Sequence, residues 1–119
     1  MMRGIHMPIQ IQPIHHDGWT PLPYEGCRNV SVKMLMKLNH LGLSMLRFEA
    51  DGTIHEHPAQ IEIDVICLEG EGMVSVGNEQ SPLKAGERVR WPMGIPHRLW
   101  TNTTEMVTLM VEYYGDASE

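Results

Sequence analysis

Gly86-Glu87-Arg88-Val89-Arg90-Trp91-Pro92-Met93-Gly94-Ile95-Pro96-His97 is the stretch on which the reading of this 119-residue chain turns. Its first half alternates: Val89 and Trp91 fall on one face of an extended strand, Arg88 and Arg90 on the other, the period of two expected of a half-buried β-strand. The turn Pro92 to Pro96 is rigid and delivers His97 at the start of the next strand. Upstream, Gly52-Thr53-Ile54-His55-Glu56-His57 sets two histidines two apart, so on an extended chain both imidazoles point to one face. Alone, His55 and His57 read as surface or hydrogen-bonded core histidines. Joined to His97 they form a three-imidazole set suited to iron, nickel, copper, zinc or manganese, with coordination positions left open.

Working outward, short alternating runs separated by turn signals continue from Val30 to the C-terminus, which predicts antiparallel β-structure with little helix. Val32, Met34, Met36 and Leu38 share one strand face and Ser31, Lys33 and Lys37 the other; Asn39 to Gly42 breaks the run, and Leu43 to Glu49 resumes it as the second arm of a hairpin. Asp51-Gly52 reads as a tight turn before a short strand around Ile54, and Ile61 to Leu68 as a strand ended by Glu69-Gly70-Glu71-Gly72. Met73 to Val76 pairs naturally with Pro82 to Lys84, and Arg88 to Trp91, Arg98 to Trp100 and Met106 to Tyr114 complete the set. Met34, Met36, Met45, Met73, Met106 and Met110 fall at strand spacing and are expected in the core. Residues 1–29, rich in proline, read as an arm or edge strand of the same domain anchored by Trp19 or Tyr24, and residues 30–119 as one barrel.

Composition narrows the function classes. Nine Lys and Arg against fifteen Asp and Glu give a net charge of −6, the wrong sign for neutralising phosphates, so neither nucleic acid nor an anionic membrane is an expected partner. Only Cys27 and Cys67 are present, too few for a disulfide framework and in no zinc-binding spacing. Together with an N-terminus lacking an apolar signal region, and with no membrane-length apolar run, they predict a cytoplasmic protein. The Asn29-Val30-Ser31 and Asn102-Thr103-Thr104 sequons are then chance matches.

The two histidine segments also carry a family resemblance. Gly52 to His57, followed by a strand ending at Gly70, resembles the first cupin motif, a glycine, HxH, a carboxylate and a glycine. Gly86 to His97, with Asn102 beyond, is similar to the second, including its G(x)5PxGxxH spacing. Trp19 to Pro23 is loosely similar to the start of small anti-sigma-type (ChrR-like) cupins. The resemblance implies a small single-domain cupin, that is, an all-β double-stranded β-helix or jelly-roll barrel. It further implies one divalent transition metal inside the barrel, held by His55, His57 and His97, and a homodimer. The sequence departs from the pattern where the first motif expects its glutamate, since that position is Ile63. If Ile63 faces inward, so do Val65 and Cys67, while Glu62, Asp64 and Leu68 face outward. Glu62 and Asp64 are then cross-strand partners of Arg88 and Arg90; a bulge could instead turn Glu62 inward as a fourth ligand. A three-histidine set is one that some thiol and diketone dioxygenase cupins also use.

An inner face of Ile63, Val65, Cys67 and Leu99 suits a small, largely apolar ligand. Parity identifies no inward Glu, Tyr or Lys, which favours dioxygenase-type chemistry over isomerisation, a reaction that needs a positioned base. Two other readings stay open, a non-catalytic module that binds or senses a metal or metabolite and a structural cupin with a vestigial site. His15-His16-Asp17 reads as solvated loop, His6 and His40 belong to no constellation, and Cys67 as a small core residue. Arg98 and Trp100 share outward parity and are expected under a dimer interface or the N-terminal arm.

Overall fold

A computed structural model describes residues 7–14 and 18–115. Eight strands and no helix are present among them: β1 (Thr20–Pro21), β2 (Arg28–Lys37), β3 (Leu41–Pro58), β4 (Glu62–Val76), β5 (Glu79–Lys84), β6 (Arg88–Trp91), β7 (Pro96–Trp100) and β8 (Met106–Tyr113). No helix among the described residues is long and apolar enough to cross a membrane.

All strand pairings are antiparallel, and two long strands divide them into two layers. The first half of β3 pairs with β2 and β8, and the first half of β4 pairs with β8 and β6. The second halves turn away, β3 to pair with β7 and β4 with β7 and β5. One layer is therefore β1-β2-β3-β8-β4-β6 and the other β3-β7-β4-β5, a jelly-roll barrel closed at two corners. Phe48, Leu46, Val65, Cys67, Leu99 and Met106 are buried between the layers and form its floor.

The corners are where the turns expected from sequence take another form. Asp51-Gly52 does not end a strand; β3 runs through it, bending where Asp51 adopts φ 56°. Thr101 pins this corner, its hydroxyl accepting from the Gly52 N–H at 2.9 Å and donating to the Glu49 carbonyl at 2.6 Å. Likewise β4 continues through Gly70, whose φ of 75° accompanies a bulge between Cys67 and Glu69. A strand that changes layers needs such a bend without losing its ladder, and a positive φ supplies it, at Asp51 in β3 and at Gly70 in β4.

The methionines divide within one layer. Met106 is buried, whereas Met34 and Met36 are exposed, contrary to the expectation from spacing. The second layer stops at β3, so among the described residues none of its strands stands over the outer end of β2. Near the N-terminus, β1 pairs with β2, the Trp19 ring lies 4.5 Å from the Arg47 guanidinium, and Leu22 and Tyr24 reach the mouth of the barrel.

Candidate metal and ligand cavity

Between the layers opens a cavity of about 600 Å³, within the range of small-molecule sites. His55, His57 and His97 all line it. A β-bulge between Ile54 and His57 makes this possible. In a regular strand the inward Ile54 would put His55 and His57 on the opposite face; the extra residue resets the alternation and turns both imidazoles to the cavity. Opposite them, β7 alternates with His97 and Leu99 buried and Arg98 and Trp100 only half-buried. His57 and His97 are cross-strand partners.

The rings lie close together, 5.2 Å between the centres of His55 and His57 and 4.5 Å between those of His57 and His97. Metal–nitrogen bonds of about 2.0–2.1 Å place two imidazoles on one ion with centres roughly 5 Å apart. As the side chains stand, no three His, Cys, Asp or Glu among the described residues converge their donor atoms on one point. His57 Nδ1 donates to the His55 carbonyl at 2.9 Å, which fixes the tautomer and leaves Nε2 with a free lone pair. His55 Nδ1 lies 3.5 Å from Cys27 Sγ, and a side chain at Gly26 would collide with the same ring. His97 is fully buried, and among the described residues neither of its ring nitrogens makes a well-formed hydrogen bond, the Ile95 backbone offering only a marginal contact. Burial, with His57 nearby, pushes its pKa down to about 4, so the imidazole is neutral near pH 7. It stacks on Trp91 with centres 3.8 Å apart. Buried polar atoms without partners are rare, and a neutral imidazole with a free lone pair is a transition-metal donor. The donor set thus fits an imidazole-preferring divalent ion.

The carboxylates take the outer-face reading. Ile63 pairs with Trp91 and Asp64 with Arg90. Glu62 sits 3.4 Å from Arg90 Nη1 and accepts the Met93 N–H, and the bulge in β4 lies beyond it, after Cys67. Asp64 accepts from Arg90 Nε at 2.7 Å and Nη2 at 3.0 Å and from the Tyr113 hydroxyl at 2.7 Å. The Arg90 hydrogen bonds hold its carboxyl below the usual carboxylate range.

The cavity also contains what parity reasoning missed. Glu112 and Tyr114 line it together with Tyr24 and Gln60. Glu112 was legible: it shares parity on β8 with Met106, Thr108 and Met110, and both methionines were already expected inside. Val65, Cys67 and Leu99 lie deeper, in the core rather than the cavity wall. His40 is exposed; His6 and the His15-His16-Asp17 cluster lie outside the described residues. Arg98 stacks on Trp100 at 4.3 Å and reaches the Thr53 hydroxyl at 3.3 Å.

Residues 44–112, more than half of the chain, match the model of the family described as Cupin domain. No curated protein sequence matches the chain. Among solved structures, the polyketide cyclase RemF from Streptomyces resistomycificus is similar with a TM-score of 0.79 at 16% identity, over 89% of this chain and 81% of that one. A cupin-2 domain from Rhodospirillum rubrum has a TM-score of 0.71 at 20% identity, covering 92% and 78%. KdgF from Halomonas sp. has 0.71 at 13% identity, covering 87% and 90%.

Proposed function

We propose, on the premise that this chain belongs to the cupin domain family, that its barrel is a small-molecule site built around one divalent transition metal held by His55, His57 and His97. The observation that carries this is His97, fully buried on the cavity wall with no well-formed hydrogen bond at either ring nitrogen among the described residues. Bound there, the ion would supply Lewis acidity or a place for oxygen to react. His57, its tautomer fixed by the His55 carbonyl, presents Nε2 to the cavity. Leu22, Ile54, Ile61 and Met110 keep the surroundings apolar, and Trp91 fixes the plane of His97 by stacking. The preference for dioxygenase-type chemistry rests on there being no inward acid or base. Glu112 and Tyr114 remove that ground, so the reading widens to metal-assisted conversion of a small organic molecule. A non-catalytic metal- or metabolite-binding module is the second reading, favoured by Ile63 at the expected carboxylate position.

Residues 1–29 are proposed as an arm of the same domain, and the active species as a homodimer. Supporting this, Met7, Ile9 and Ile11 alternate with Pro8, Gln10 and Gln12 along an exposed segment. The first test is the metal content of protein purified without chelator, by plasma mass spectrometry. Near one equivalent of iron, nickel, copper, manganese or zinc is expected in the wild type, and none in His97→Ala or His57→Ala. Metal retained by both variants would overturn the ligand assignment.

A further inference from the structure

One row of the cavity's inner face runs straight across four strands. Trp91 on β6 pairs with Ile63 on β4, Ile63 with Glu112 on β8, and Glu112 with Gly42 on β3. Directly opposed residues on one face of an antiparallel sheet stand about 4.5–5.5 Å apart, so Ile63 alone separates Glu112 from the indole on which His97 stacks. Gly42 closes the row without a side chain, and the space so left is filled by Tyr114: a Cβ at position 42 would collide with its hydroxyl. That hydroxyl lies 3.5 Å from Glu112 Oε1. The cavity is thus polar at two ends, imidazoles at one and a carboxylate with a phenol at the other, joined by an apolar floor. Its lining contains no Lys or Arg among the described residues, so no side-chain cation stands beside Glu112 to hold an anionic group at that end.

From this arrangement we infer that Glu112 is the proton-transfer base of the cavity, supported by Tyr114, and that the substrate class is a small neutral carbonyl compound with an acidic α-hydrogen. The inference rests on reading the cavity as a small-molecule site. With the carbonyl oxygen toward the imidazoles and the α-carbon toward Glu112, the carboxylate takes the α-proton. The C–H electron pair becomes the new C=C bond while the carbonyl π pair moves to oxygen. The proton then returns from Glu112 to the same or a conjugated carbon. Nothing is oxidised or reduced, and no co-reactant is consumed.

The test follows loss of α-proton signals from butanone and cyclohexanone in D2O by proton NMR, with metal content measured on the same samples. Wild type is expected to accelerate exchange of at least one ketone. Glu112→Gln should lower that rate about 100-fold or more, the usual contribution of a general base. Glu112→Asp should retain part of it, and in Glu112→Gln ketone binding by saturation-transfer NMR and metal content should be unchanged. No acceleration by wild type, or equal rates in Glu112→Gln, overturns the inference. So does loss of metal in Glu112→Gln, which would make Glu112 a ligand. Wild type that carries no metal yet exchanges through Glu112 sinks the metal reading and leaves this one standing.

Discussion

Asp64 lies on the outward face of its strand and is nevertheless 2% exposed, because Arg90 and Tyr113 fold over it. A carboxylate so covered is stable only while its acceptors are filled. Arg90→Met removes two charge-assisted hydrogen bonds and leaves the Tyr113 hydroxyl and a distant Arg88, so a loss of about 1–3 kcal/mol is expected in urea unfolding at pH 7. The pH dependence has a definite sign. Since Arg90 holds the Asp64 carboxyl below its ordinary value of 3.8, its contribution is full above about pH 4 and fades as pH falls through the lower, folded value. Wild type and Arg90→Met should therefore converge in stability on acidification; a gap that persists at low pH would assign the effect to packing. This pairing was legible in the alternation of Glu62 to Cys67 against Arg88 to Trp91. The burial of Asp64 was not, since it depends on Tyr113 arriving from another strand.

Among the elements, β3 and β4 differ most from the expectation drawn from sequence. Each was read as two strands separated by a glycine turn, and each is one strand bent through a corner. Local signals are the same for both outcomes, because Asp51-Gly52 and Gly70 report only a positive φ. What decides is the partner on either side of the bend, β8 before and β7 or β5 after, which lies far away in the chain. Gly70→Ala tests the corner: its φ of 75° is strained for alanine, and a Cβ would strike the Glu105 carbonyl. A destabilisation of about 1–3 kcal/mol is expected by chemical denaturation; a neutral substitution would show that the β4 corner relaxes freely. The histidine site was legible in its residue types and spacing, whereas the bulge that aims His55 and His57 was not. Nor was Glu112 read, although its parity with Met106 and Met110 placed it inward, because it lies past both motifs.

At the scale of the molecule, the exposed arm sets a further expectation. Ile9 and Ile11 are each 85% exposed, which is costly for branched apolar side chains and suits burial against a second copy. Sedimentation velocity should show a species of twice the chain mass, and the Ile9→Asp/Ile11→Asp double variant should shift it to the monomer; a monomeric wild type would sink the homodimer. Stacking of Trp91 on His97 has a different consequence, an optical one. That indole is buried and lies flat on the imidazole, so its emission responds to the electronic state of the ring beneath it. Trp91 is one of three tryptophans, and whatever arrives at His97 is expected to change its share of the native fluorescence, so occupancy of the barrel is readable without a label once Trp19 and Trp100 are replaced by Phe.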